Sequence, residues 1–490
     1  MSSPVPFRAL FVAALVLGTG AAIYYASADL TLSHYDAKAH LVVARRIIDS
    51  LRPGWWQVGA VWLPLPHLLN MLPVQIDWLY RTGLSGVAIS VVCFAVASAT
   101  IGWLVGRSTG SAAGALAGTV IFASQPDVLY LQSTPMTEPL LMALTLAGVA
   151  LTWRWTAEGG TGSVHAPGAL LALACWTRYE AWPITAAAVA LALLVLIWNG
   201  ERIGHALRRV LPLAAWPIAA GLAFLVLSRA TVGEWLVTGG FYVIENPDYH
   251  RPFKPLGSVF WGVRQLNGTM TVSLGVAALA VLAWGMVRSR AHRPLLVVLS
   301  LAACAALPYY AFYSGHPFRI RYMTALTMVL ACVVGLGVGL LPRGRAVVAA
   351  IVALVALVET PAFSPRAPMV LEAQWDRPRS FERRTITRCL ADGRDGTPIL
   401  ASMGSLAHYM QETSHAGFQL RDYIHEGIGQ IWIDSLRHPS RHAGWVLIEE
   451  QAEGGDMLAR LRAQRPGFLA DFERACEAGG VALYRRITSR

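Results

Sequence analysis

Long apolar runs separated by short polar breaks fill most of the chain. Many of the runs exceed the 18 or so residues needed to cross a hydrocarbon core of about 30 Å. They predict eleven spans, near residues 9–27, 84–106, 111–127, 138–155, 167–178, 181–198, 210–228, 270–287, 295–313, 322–341 and 346–358. The first, Phe7 to Tyr25, resembles a signal peptide, but no clear small-residue cleavage pattern follows, so it is read as an uncleaved helix. The two runs around Arg178 are short. Pro183 and the polar Thr177-Arg178-Tyr179-Glu180 favour re-emergence at a membrane face, since charge at mid-bilayer is costly.

Two polar regions break this pattern. The first, 28–83, reads as a structured loop. Asp36 is expected to cap a helix running to about Leu51, with Leu41, Ala44, Ile47, Ile48 and Leu51 as its apolar stripe and Pro53-Gly54 as its stop. Trp62 to Tyr80 reads as a second amphipathic segment, and both are expected to lie along the interface. The second region is the tail. Strands are expected at Pro398–Ala401, Trp445–Ile448 and Val481–Tyr484, with helices near Leu406–Gln411 and Gly467–Ala478. The expected architecture is an α-helical polytopic membrane protein of about eleven transmembrane helices, residues 1–359, followed by a small C-terminal α/β extracytoplasmic domain, residues 360–490.

Composition agrees. Of 490 residues, 55% are hydrophobic and 14% charged, against about 25% charged in soluble domains. The net charge of +11 comes almost wholly from arginine, the lysines being Lys38 and Lys254. With the N-terminus inside, the inside loops hold Arg107, Arg154, the Arg202–Arg209 group, the Arg288–Arg293 group, and Arg343 with Arg345. That is the positive-inside pattern, not a nucleic-acid footprint. It leaves the 28–83 loop, the 128–137 loop, the Arg178 tetrad, the 229–269 loop, Gly315–Arg321 and the tail from Thr360 outside, at a cytoplasmic (inner or plasma) membrane. Cys93, Cys175, Cys304 and Cys332 fall in apolar spans as packing residues. Cys389 and Cys476 lie in the tail and could pair there, although spacing alone does not establish a disulfide.

The external face collects polar groups from distant segments. These are Asp36 with His34 and His40; Gln57 beside Trp55 and Trp56; Glu138 in Thr137-Glu138-Pro139; Arg178-Tyr179-Glu180; and His316 through Arg319, Arg321 and Tyr322. A carboxylate can take a proton from a hydroxyl. Arginine binds phosphate bidentately and keeps its charge. Tryptophan and tyrosine stack on sugar rings and settle at the interface. Each residue also has a plain structural reading: Asp36 and Glu138 as helix caps, the arginines as headgroup anchors, the tryptophans as interfacial belt, the histidines as surface residues.

An acid in the first external loop, Thr-Glu-Pro opening the fourth helix, Thr-Arg-Tyr-Glu between two short helices, and Arg-Tyr opening a late helix together resemble the GT-C glycosyltransferases. The nearest branch is the protein-mannosyltransferase and aminoarabinose-transferase type, and the likeness covers roughly residues 5–360. It implies that Asp36 is the catalytic base and that the donor is a polyprenyl-phosphate-linked sugar, and Glu138 is expected to help place the acceptor in the catalytic step. It also implies that transfer inverts the anomeric centre. On this reading Arg178, Arg319 and Arg321 bind donor phosphate; His40, Trp55, Gln57, Tyr179, Glu180, His316 and Tyr322 contact substrate. Many mannosyltransferases carry Asp-Glu in the first loop, whereas Ala37 follows Asp36 here.

The expected partners are the lipid-linked donor, membrane lipids and a glycan, lipid or protein acceptor of a bacterial cell envelope. His40 lies four residues after Asp36, so a divalent metal ion is conceivable, but no tight His/Cys/Asp spacing supports a dedicated one. No Walker-type loop or dinucleotide fingerprint occurs in a strand-to-helix context. The 229–269 loop, with Tyr242, Glu245, Asp248, Tyr249 and His250, is expected to close over the site. The competing readings are a transporter or flippase of lipid-linked saccharides, and a non-catalytic subunit of envelope polysaccharide assembly. A transporter would want charge near mid-bilayer rather than at one face, and no inverted repeat is evident.

Overall fold

The computed structural model describes residues 3–237, 246–452 and 455–487. The chain forms two compact units. One comprises Met1–Ala28, Val87–Val226 and Val243–Glu372; the other comprises Asp29–Gly86, Leu227–Tyr242 and Ala373–Arg490. The first loop thus belongs with the tail, and the unit boundaries differ from the expected break at 359/360.

The first unit is a helical membrane domain, and the chain is a polytopic α-helical membrane protein. Among the described residues, eight helices are long and apolar enough to cross a membrane: Phe7–Ser27, Leu84–Thr109, Glu138–Ala157, Ala181–Trp198, Ile203–Val232, Thr269–Arg288, Arg290–Tyr313 and Ile320–Leu340. The other three expected spans are shorter helices, Ala112–Ala123, His165–Cys175 and Arg345–Glu359. Ala112–Ala123 packs along Ala325–Leu340 through facing glycines. A Cβ on Gly114 would stand 2.6 Å from the Gly335 carbonyl oxygen, and one on Gly118 2.9 Å from that of Ala331. Lipid tails supply no hydrophobic drive between helices, so close backbone contact across small residues takes its place. Within Arg290–Tyr313 the first sixteen residues, Arg290–Ala305, are 3-10 and the rest α-helical.

Of the expected closing loop, Tyr242 and Glu245 lie outside the described residues. Asp248, Tyr249 and His250 are tied down. Ser258 Oγ donates to Asp248 Oδ2 at 2.6 Å, and the His250 amide donates to the Tyr313 carbonyl at 2.8 Å. The His250 ring stacks on Tyr249 and Tyr313.

The second unit contains a five-stranded sheet in the order β2-β1-β3-β5-β4. Its strands are β1 Ile399–Ala401, β2 Tyr423–Ile424, β3 Trp445–Glu449, β4 Phe472–Ala478 and β5 Val481–Arg486. β1 runs parallel to β2 and β3; β3, β5 and β4 pair antiparallel. Both faces are covered. Ile399, Ala401, Trp445 and Leu447 enter one core, Leu400, Val446 and Ile448 the other. That double burial explains the unbroken apolar run of β3. The first core also takes Leu41, Val42 and Ala44 from the Tyr35–Arg45 helix and Leu406 and Tyr409 from the Met403–Thr413 helix.

Three local expectations change. The first-loop helix ends at Arg45 rather than Leu51, and every residue from Asp36 to Arg45 is buried, so it does not lie on an interface. Further along, the Trp62–Tyr80 stretch breaks into Leu65–Asn70, a 3-10 turn at Pro73–Gln75 and a helix at Asp77–Thr82. The expected helix over Gly467–Ala478 is a short 3-10 turn, Pro466–Leu469, followed by β4. Gly479 and Gly480, at φ +59° and +81°, make the β4–β5 hairpin turn, a conformation that favours glycine. Cys389, on the Arg377–Asp392 helix, is disulfide-bonded to Cys476 of β4.

Candidate active site

Asp36 is the second residue of its helix and is buried. It is not the cap. His34 holds that position, its Nδ1 accepting the Asp36 amide hydrogen at 3.1 Å. The aspartate carboxylate sits in the first turn, where negative charge favours the positive end of the helix dipole. Tyr35 stacks on His34 at 4.7 Å.

One turn on, His40 is drawn into a buried stack. His67 Nδ1 lies 3.1 Å from the Leu63 carbonyl, which can only accept, so Nδ1 carries the proton. In the neutral ring Nε2 then accepts from His40 Nδ1, 3.1 Å away. Burial pushes His67 down to about 3, with Arg46 adding to the effect. Trp62 covers His40 at 4.1 Å. Gln57 is fully buried, its amide donating to the carbonyls of Arg52 at 2.8 Å and Gly427 at 2.9 Å, a tie between loop and tail. Trp55 and Trp56 are exposed. Among the described residues no three His, Cys, Asp or Glu side chains group closely enough to hold a metal ion.

In the membrane unit the acid and arginine motifs meet. Glu138, buried, opens its helix with Pro139 behind it. Arg178 bonds Glu180 Oε1 through Nη2 at 2.7 Å and Nε at 3.1 Å, and Thr137 Oγ1 through Nη1 at 3.0 Å. Its Nη1 also stands 2.9 Å from Glu138 Oε1. That contact is an ion pair without hydrogen-bond alignment, and neither Glu138 oxygen has a hydrogen-bond donor among the described residues. Burial works against the Arg178 charge, but Glu138 and Glu180 outweigh it and raise its pKa; Arg321 opposes them. Arg178 is therefore held by protein carboxylates. Tyr179 turns away into aromatic contact with Trp182 and Phe224.

The late motif forms its own cluster. His316 Nδ1 donates to the Pro317 carbonyl at 2.8 Å, so Nε2 accepts from the Tyr322 hydroxyl at 3.1 Å. Arg321 lies over the Tyr322 ring at 5.3 Å. A cavity of about 420 Å³, walled by Phe253, Trp261 and Phe318 with Lys254 at its edge, adjoins this segment.

Two acids join the membrane-unit cluster that sequence reasoning missed. Glu372 accepts the Ile320 amide hydrogen at 2.6 Å. Burial raises its pKa against the pull of Arg321 and Arg319. Asp127, in the Pro126–Leu131 connection, accepts from the Met369 amide at 2.6 Å and Gln125 Nε2 at 2.7 Å, and burial pushes it up to about 6. Asp127 carried the signal that singled out Asp36, a lone acid at the end of an apolar run. Glu372 had no such signal, since it sits at the polar entry to the tail.

No protein-family model matches the sequence, and no curated protein matches it. Solved structures do. The fold is similar to that of ArnT from Cupriavidus metallidurans bound to undecaprenyl phosphate, with a TM-score of 0.59 and 13% identity over 96% of this chain and 97% of that one. The apo state of the same protein gives a TM-score of 0.58 at 13% identity with the same coverage. The chain has an ArnT-like GT-C fold.

Proposed function

We propose that this chain is a membrane glycosyltransferase. It moves a sugar from a polyprenyl-phosphate carrier to a hydroxyl acceptor on the non-cytoplasmic side of the membrane. The observation that carries the reading is Asp36, a buried acid in the first turn of its helix, on a chain whose fold resembles that of a protein solved with undecaprenyl phosphate. The orientation rests on the basic short loops and on the Cys389–Cys476 disulfide, a bond that persists in oxidising compartments.

In the reaction, an Asp36 oxygen takes the proton of the acceptor hydroxyl as the hydroxyl oxygen attacks the anomeric carbon. The carbon–oxygen bond to phosphate breaks on the opposite face, so the centre inverts and polyprenyl phosphate leaves. Arg319 and Arg321 offset the charge that grows on the phosphate. Arg178, already held by two carboxylates, orients Glu138, whose oxygens accept a hydroxyl of the acceptor.

The test is reconstitution of the purified chain with a radiolabelled polyprenyl-phosphate sugar, which separates transfer, translocation and neither. Asp36→Asn is near-isosteric and should lower transfer by about 10²–10⁴-fold, the share typical of general-base catalysis, with melting unchanged. Wild-type turnover in Asp36→Asn sinks the assignment, and translocation without product favours the flippase reading.

A further inference from the structure

We infer that the tail acts as a mould for the Asp36 helix, with Glu412 and Arg383 as positioning residues that fix the direction of the Asp36 carboxylate. The inference rests on the reading of Asp36 as the base. Lys38 lies two residues after Asp36 and is buried. Its ammonium meets Glu412 Oε1 at 2.5 Å. Successive helical residues turn by about 100°, so these two side chains leave the helix about 200° apart. Fixing Lys38 on one side therefore fixes the rotation that aims Asp36 on the other.

Glu412 is itself held. Ser380 Oγ donates to it at 2.8 Å, and Arg383 donates to both its oxygens at 3.1 and 3.2 Å. Arg383, fully buried, also grips Asp376 with two bonds of 2.6 and 3.0 Å. Burial disfavours the Glu412 charge, yet Lys38 and Arg383 pull it down to about 2. Two cations and two anions make this network neutral. A second anchor holds the far end of the helix. Asp49 accepts from Arg45 Nε at 3.0 Å and from Arg421 Nε at 2.8 Å, with the Leu420 amide at 3.2 Å.

Apolar packing through Leu41, Val42 and Ala44 already buries the helix. Such packing is non-directional and tolerates small rotations. Buried ion networks add little stability over apolar residues of the same volume, and their best-attested use is to specify one arrangement. Ion networks at both ends of an eleven-residue helix are therefore fixing its rotation and register.

The experiment uses the full chain in nanodiscs, with hydrogen exchange of residues 38–45 read beside turnover on a polyprenyl-phosphate sugar. Glu412→Gln should speed exchange in that helix about tenfold and lower kcat about tenfold, the size of one charge-assisted bond, with the donor KM within about twofold. The double variant Lys38→Met/Glu412→Met replaces the pair with apolar volume. It should keep the melting temperature yet retain the low kcat. Unchanged exchange in Glu412→Gln, or wild-type kcat in the folded double variant, overturns the inference. If the wild type transfers no sugar, the glycosyltransferase reading falls on its own, and the exchange measurement still decides whether the tail holds the helix.

Discussion

Arg178 and Arg383 each lie between two carboxylates, one in each unit, and they differ in how fully those carboxylates are hydrogen-bonded. Around Arg383, Asp376 and Glu412 are matched by Lys38 as well, and the carboxylate oxygens are met by directed donors. Around Arg178, the positive charge of Arg321 is also felt, and the Glu138 oxygens lack hydrogen bonds among the described residues. A saturated network is architecture. On the proposed function, the unused Glu138 acceptors are where a substrate hydroxyl binds, because a buried polar group left unmatched is costly unless a ligand completes it.

The contrast can be broken by experiment, starting with the largest effect. Arg383→Met strips the buried Asp376 of its two arginine bonds and Glu412 of one of its two cations and should cost the second unit about 3–5 kcal/mol, seen as an early melting transition of the full chain; a loss under about 1 kcal/mol would show that the network is not structural. Next, Cys389→Ser/Cys476→Ser removes a cross-link between positions 87 apart in sequence and should cost about 2–4 kcal/mol of the same transition. Unchanged melting with and without reductant would count against it.

Glu138→Gln should do the reverse of Arg383→Met. It leaves Arg178 its hydrogen-bonded partner Glu180 and removes no hydrogen bond of Glu138 among the described residues, so melting should hold within about 0.5 kcal/mol while transfer falls about 10–100-fold. A destabilised but fully active variant would place Glu138 with the architecture.

The smallest effect near neutrality concerns pH. Glu412, held at about 2 against an ordinary 4.5, contributes stability above pH 4.5 that is lost as pH falls toward 2. His408, pushed down to about 4 by burial and by Arg383, favours its neutral form in the fold. Its contribution is full above pH 6.5 and fades as pH falls from 6.5 to 4. Both groups make the second unit acid-sensitive. Melting measured from pH 8 to pH 3 should decline on the acid side, with the loss between 6.5 and 4 reduced in His408→Asn. A flat profile contradicts the assignment.

Sequence reasoning located the pieces better than their assembly. β3 was legible because burial on both faces makes an unbroken apolar run. β4 was misread because Phe-Glu-Arg-Ala-Cys-Glu-Ala suits a helix, and only pairing with β5 and the bond to Cys389 make it an edge strand. The membrane-unit residues Glu138, Arg178 and Glu180 were all marked, each by charge in an apolar setting. The capping geometry at Asp36 was not legible, since His34 and Asp36 are both plausible caps within three residues. The Lys38–Glu412 pair leaves no local signature, because periodicity reports only neighbours on one element.

The Lys38–Glu412 pair also has a bearing on biogenesis. Its members are 374 residues apart. At about 5–20 residues per second, the ribosome needs roughly 20–75 s to travel from one to the other. Through that interval Lys38 is made and Glu412 is not, so the pair closes only after Glu412 has been synthesised. Chain order thus sets the earliest moment at which this end of the helix can be fixed.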